Sequence, residues 1–222
     1  MEQKKALVFG ATGLVGNLLV EELKACGKYS NIRLFVRQPL ELGGSSIDQV
    51  VTDFSDMQKL QESLKGDDIF ICLGTTIKKA GSVENMEKID RDLPVTIAEE
   101  ARKAGVSRIA VVSSIGADPK SKNYYLRIKG EMEEGILNSA FGRTVIVRPS
   151  MLMGDRKEKR PGETAGKIMM KIFNPVLTGK LIKFRSIHGR DVAKAMIALL
   201  ERENDKMIYE SDELQRVAAG GK

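Results

Sequence analysis

Lys5-Ala-Leu-Val-Phe9, followed by Gly10-Ala-Thr-Gly13-Leu-Val-Gly16, is the stretch on which the fold turns. The first five residues are apolar after Lys5 and stop at a glycine, as a short buried strand does. From Gly13 onward Val15, Leu18, Leu19, Leu23 and Cys26 recur at spacings of three and four, which marks one face of a helix, and Gly27 ends it. The glycines between strand and helix fall as G-x-x-G-x-x-G. Gly10 permits a tight turn, Gly13 has no side chain to hold a ligand off the backbone, and Gly16 lets the helix pack closely. The start of the helix offers free N–H groups and a positive dipole end to an anion. Strand, glycine loop and helix together predict a dinucleotide pyrophosphate site contacted by Gly10, Thr12, Gly13, Leu14, Val15 and Gly16. The opening Lys pair and apolar run also resemble a signal peptide, but Glu2 and three spaced glycines fit that poorly.

Working outward, further strands are predicted at Asn31–Val36, Gln49–Thr52, Asp68–Leu73, Arg108–Ser113 and Arg143–Arg148. Between them lie helical patterns: one from Ser55 or Asp56 to Leu64, one capped by Ser82 and ended by Gly105, and one over Tyr124–Asn138. Pro94 kinks or splits the second of these. Strand and helix alternating at this rhythm predict an α/β fold, a doubly wound parallel sheet. Residues 1–222 read as a single domain. After Pro149 the pattern loosens: a basic loop at Asp155–Arg160, a Met-rich helix near Glu163–Phe173, a short strand at Leu181–Phe184, a helix over Asp191–Glu201 and a last helix capped by Ser211. Residues 151–187 and 202–222 are expected to form a small substrate lid and a C-terminal appendage.

Composition narrows the classes. With 42% hydrophobic and 30% charged residues the chain is ordinary globular sequence. No apolar run reaches the ~18 residues of a membrane span. Lys and Arg number 36 against 30 Asp and Glu. The one dense charge run, Asp155–Arg160, mixes signs and carries no aromatic, so no nucleic-acid or membrane partner is expected. Two cysteines, Cys26 and Cys72, make no disulfide framework or zinc pattern. A reducing cytoplasm is the expected location.

The second predicted strand ends Val36-Arg37-Gln38, without the Asp or Glu that would bind a ribose 2′-hydroxyl. A guanidinium there forks onto a 2′-phosphate, so Arg37 predicts NADP. Asp53 and Phe54, just past the third strand, are placed to meet the adenine, or are a turn residue and a core Phe. The fifth strand ends Ser113-Ser114, and eleven residues after Ser114 stands Tyr125, with Lys129 at i+4 on the same helical face. A free phenol has a pKa near 10; a nearby ammonium favours its ionised form. Tyr125 could then exchange a proton with a carbonyl or alcohol oxygen that Ser114 holds. Strand parity favours Ser114 over Ser113.

GATGLVG, VRQP, VVSSIGAD and YLRIKGEME, taken together, resemble the atypical, NmrA-like short-chain dehydrogenase/reductases. SSIGAD, YLRIKGE, VRPSML and DRKEKRPGE resemble the Tat-interacting-protein-type oxidoreductases within them. The likeness spans roughly residues 4–200. It implies a Rossmann fold, NADPH as cofactor, and a Ser114-Tyr125-Lys129 mechanism in which Lys129 also holds the nicotinamide ribose. It further implies that Leu73, Gly74 and Thr75 pass beside the cofactor, and that Pro149 to Leu152 line the nicotinamide. The fourth strand ends Cys-Leu-Gly-Thr instead of Asn-Ala-Gly, so the Asn-based proton relay of better-known members is not implied. Animal members are also described as regulatory proteins. The expected activity is therefore NADP-dependent oxidation or reduction of a small carbonyl or alcohol substrate, by a monomer or homodimer. The alternative is a non-catalytic NADP(H) sensor with a regulatory protein partner. Sugar-nucleotide epimerase chemistry would need a larger C-terminal domain. His188, at a helix start, and Cys72, in a buried strand, are expected to be structural. Asp90 and Asp92, among Lys88 and Arg91, are expected on a solvated charge face.

Overall fold

Strand β1 (Lys4–Phe9) sends alternate side chains to opposite faces, and both faces are covered: Ala6 and Val8 enter one core, Leu7 and Phe9 the other. The Phe9 ring stacks on Phe35 of β2 (Tyr29–Val36) with centroids 4.3 Å apart. Burying each such side chain is worth roughly 1.5–3 kcal/mol. The computed structural model describes residues 3–41, 46–154 and 177–221. The basic loop with Arg156 and Arg160, and the Met-rich helix, lie outside them.

The remaining strands are β3 (Ile47–Val51), β4 (Asp68–Ile71), β5 (Arg108–Val112), β6 (Arg143–Arg148), the short β7 (Leu152–Met153) and β8 (Ile187–His188), and β9 (Ile208–Glu210). Seven of them form one parallel sheet in the order β3-β2-β1-β4-β5-β6-β9, and β7 pairs with β8. Helices α1 (Leu14–Ala25), α7 (Gly189–Leu200) and α8 (Ser211–Ala218) pack on one face. On the other face α2 (Met57–Ser63), α5 (Leu93–Lys103) and α6 (Tyr124–Asn138) bury Leu60, Ile97, Ala101, Met132 and Ile136. This is the doubly wound sheet that the strand–helix rhythm predicts. The order of strands reverses between β1 and β4, which opens a crevice above their carboxyl ends.

Short helices α3 (Ile77–Ala80) and α4 (Val83–Glu87) precede α5. Ser82 caps α4 by accepting the Asn85 N–H at 3.1 Å. Pro94 has no N–H to return to the carbonyl of Asp90, four residues back. The chain responds with a π-helical turn over Lys88–Asp92, in which the Leu93 N–H reaches back to Lys88 O. The interruption falls just before Pro94, which stands in the first turn of α5.

Three details differ from the sequence pattern. Residues 179–184 form a 3₁₀ turn instead of a strand, closed by Leu181 N–H to Thr178 O at 3.0 Å and Arg185 N–H to Ile182 O at 2.9 Å. A short apolar run fits either state until a partner edge is available. The C-terminal residues are not merely appended: β9 is the seventh strand, paired with β6. Glu210, not Ser211, caps α8 through a reciprocal capping box with Glu213. Ser211 is fully buried and shares a hydrogen bond with Ser150 Oγ at 3.0 Å.

Candidate cofactor and active site

The loops above the sheet follow one another in strand order. Val36 pairs with Val51, and the Thr52 N–H reaches Val36 O at 2.9 Å, so Arg37 and Asp53-Phe54 leave the sheet side by side. Arg37 is exposed and makes no ion pair among the described residues. Asp53 accepts the Ser55 N–H and hydroxyl at 2.9 and 2.6 Å, which holds its carboxyl below the usual range. Phe54 takes a φ of +64°, rare for a bulky residue, and turns its ring toward Phe9, 6.1 Å between centroids. Both therefore have local partners in the chain.

Next comes the glycine loop. A Cβ on Gly10, at φ +82°, would stand 2.5 Å from the Cys72 carbonyl oxygen. One on Gly16 would meet the Gly10 carbonyl oxygen at 2.1 Å. So Gly16 closes against the turn itself, more than against the sheet as the sequence suggested. At Gly13 a Cβ would find only ordinary contacts, the nearest at 3.4 Å. The chain's own packing does not demand glycine there; a ligand lying on the backbone would. Gly13 is the N-cap of α1, with no side-chain cap and no acidic residue in the first turn. The N–H groups of Leu14, Val15 and Gly16 are thus left for an anion. The residues present fit a dinucleotide. Leu14 also approaches the end of β7: a Cβ on Gly154 would lie 2.9 Å from its Cδ1.

Above β4, Cys72 donates its N–H to Phe9 O at 2.8 Å, which sets Cys72 and Leu73 against Gly10, while Gly74 and Thr75 lie by Asp90. Burial pushes the Cys72 thiol up to about 12.

Above β5 the two serines separate. Ser113 is buried and donates its hydroxyl to Glu133, which also receives Arg148 Nε at 2.9 Å. Ser114 is partly exposed and, among the described residues, its Oγ makes only a 3.5 Å contact with Ile115 O. The loop is pinned to α6 by Asp118 N–H to Leu126 O at 3.1 Å, and to the strand beyond by Ile115 N–H to Pro149 O at 3.0 Å. Gly130 makes this seating possible: a Cβ there would lie 2.2 Å from Pro119 N. On α6, Tyr125 is 38% exposed, whereas Lys129, one turn on, is buried. Tyr124 is held elsewhere, its hydroxyl donating to Val83 O at 3.1 Å. Pro149 is buried and Leu152 partly so.

Asp90 is not on a solvated face. Its side chain is 1% exposed, lies 3.0 Å from Lys129 Nζ and accepts the Thr75 N–H at 2.8 Å. The π turn is what turns it inward, and Pro94 was the sequence signal that could have revealed it. Asp92, by contrast, is exposed. His188 caps α7, its Nδ1 accepting the Arg190 N–H at 3.2 Å.

The sheet order, the uncapped glycine loop and the crevice between β1 and β4 define a Rossmann dinucleotide-binding protein. The chain belongs to the NAD(P)H-binding family, whose model matches residues 10–203. Within it, the chain is an atypical, NmrA-like short-chain dehydrogenase/reductase of the Tat-interacting-protein type. It is 35% identical to Protein HTATIP2 of Rattus norvegicus over 167 residues, covering 73% of this chain and 69% of that one. It is 35% identical to the mitochondrial protein FMP52 of Debaryomyces hansenii over 199 residues, covering 87% and 86%. In fold it is similar to MoeE5 in complex with UDP-glucose and NAD, with a TM-score of 0.67 at 18% identity over 97% of this chain and 81% of that one. The UDP-glucose 4-epimerase of Thermotoga maritima gives a TM-score of 0.70 at 15% identity, over 97% and 82%. The fungal relatives correct one expectation. They are named as mitochondrial, which overturns the cytoplasmic placement.

Proposed function

We propose that this protein is an NADP(H)-dependent oxidoreductase of a small carbonyl or alcohol substrate, with Ser114, Tyr125 and Lys129 as its reactive set. The observation that carries the reading is the division of labour around α6. Glu133 takes the Ser113 hydroxyl, whereas Ser114 is partly exposed, Tyr125 is 38% exposed and Lys129 lies one helical turn from Tyr125. Gly10 to Gly16 would hold the pyrophosphate and Arg37 the 2′-phosphate. Leu73 to Thr75, Lys129, Pro149 and Leu152 would border the nicotinamide half. When bound, the cofactor supplies hydride chemistry. The chain's own groups handle the proton: Ser114 orients the substrate oxygen by a hydrogen bond, Tyr125 gives or takes its proton, and the ammonium of Lys129 favours the phenolate.

One observation favours a second reading, a non-catalytic NADP(H) sensor with a protein partner. Asp90 already balances the charge of Lys129, which weakens its pull on the Tyr125 proton.

Tyr125→Phe separates the two. It should keep NADPH affinity within about tenfold, or 1.4 kcal/mol. Reduction of aldehydes, ketones or quinones should fall by the ~10²–10⁴ that a proton donor supplies. Undiminished turnover by the variant would remove Tyr125 from the mechanism. Tight NADPH binding with no carbonyl reduced, and a partner gained or lost with cofactor, would favour the sensor.

A further inference from the structure

Asp90 sits among charged neighbours in sequence, yet the π turn buries its carboxylate where three separate segments meet. One oxygen accepts the Thr75 N–H at 2.8 Å, which ties it to the loop that follows β4. The other lies 3.0 Å from Lys129 Nζ but has no aligned hydrogen bond among the described residues. The lysine side chain is itself only 4% exposed. Directly over the pair is Gly74, whose position is exposed: a Cβ there would stand 3.4 Å from Asp90 Oδ1 and 3.9 Å from Lys129 Nζ. The pair is therefore roofed by glycine backbone at the crevice.

We infer that Asp90 is a positioning residue, whose carboxylate fixes the Lys129 ammonium and the Thr75 amide in one arrangement and thereby sets how tightly the chain holds NADP(H). The inference rests on the cofactor assignment proposed above. A pair kept only for stability has little to recommend it, since well-packed apolar residues commonly replace buried ion pairs without loss. Such a pair would also not need a backbone amide from the β4 loop as its third member. The carboxylate restricts the flexible lysine to one position, so the ligand need not supply that ordering.

The test is a double-mutant cycle read in NADPH affinity by calorimetry, with urea midpoints measured alongside. Asp90→Asn keeps an acceptor for Thr75 and removes the charge. With Lys129 in place it should weaken NADPH binding at least about fivefold, or ~1 kcal/mol. In the Lys129→Met background the same change should alter affinity less than about twofold, because no ammonium remains to position. Equal losses in both backgrounds, or no loss in either, would overturn the inference and leave Asp90 a structural group. Should Asp90→Asn not accumulate as folded protein, Asp90→Glu serves instead. It keeps the charge on an arm one methylene longer, and the same inequality must hold. If the unmodified protein binds no NADPH, the cofactor assignment falls and this inference with it. If it binds and the coupling is absent, only this inference falls.

Discussion

The buried face of α6 carries two acid–base clusters one helical turn apart, and they are finished to different degrees. At Glu133 both carboxylate oxygens are engaged, by the Ser113 hydroxyl and by the Arg148 guanidinium. That cluster ties the ends of β5 and β6 to the helix. At Lys129 the partner carboxylate of Asp90 has one oxygen on a backbone amide and the other without an aligned donor, beneath an exposed glycine. The satisfied cluster is a lock on the backbone; the half-satisfied one has capacity left at the crevice. Arg37 extends the series, exposed and without an ion pair among the described residues. In the function proposed above, the charges that the fold satisfies least are the ones assigned to the ligand.

The largest expected effect breaks the lock. Glu133→Ala strands a partly buried guanidinium and should cost about 3–5 kcal/mol of stability, read from urea denaturation. The folded fraction should still bind NADPH with unchanged affinity. A large affinity loss without a stability loss would reverse the roles of the two clusters.

Gly130→Ala acts between them. Its Cβ would stand 2.2 Å from Pro119 N, so the Ser114 loop must lift from α6. Overpacking of this kind costs about 1–3 kcal/mol. Turnover should fall along with stability, because the lifted loop carries Ser114. Unchanged stability and turnover would show that the seating of this loop on α6 does not matter.

The smallest effect is at the exposed end. Arg37→Glu should leave the denaturation midpoint unchanged, since the side chain supports nothing in the fold. The unmodified protein should bind NADPH at least about tenfold tighter than NADH, or ~1.4 kcal/mol, and the variant should lose or reverse that preference. Equal affinity of the unmodified protein for both cofactors, by calorimetry, would sink the NADP assignment and detach Arg37 from the series.

Much of the molecule was legible before folding because its signals are short-range. A short apolar run, three spaced glycines and a helical face are local properties of the chain, and they foretold the sheet class, the strand–glycine–helix junction and the span of α6 at Tyr124–Asn138. Tyr125 and Lys129 share a helical face by spacing alone. The short strand β9 carries no periodicity in three residues, and its partner β6 lies some sixty residues away, so only the assembled sheet reveals it. The apolar run at 181–184 became a 3₁₀ turn for a related reason: strand or helix in so short a stretch depends on the neighbours it finds.

Charges show the same division most plainly. Arg37 follows a predicted strand and carries its reading with it. Asp90, Glu133 and Arg148 look in sequence like any residues of a polar surface, because local pattern records hydrophobicity and not who faces whom. Whether such a charge is solvated or buried depends on what the opposite element brings. Only the tertiary structure brings the π turn against α6, places Asp90 at Lys129, and leaves Ser113 to Glu133 while Ser114 stays partly exposed.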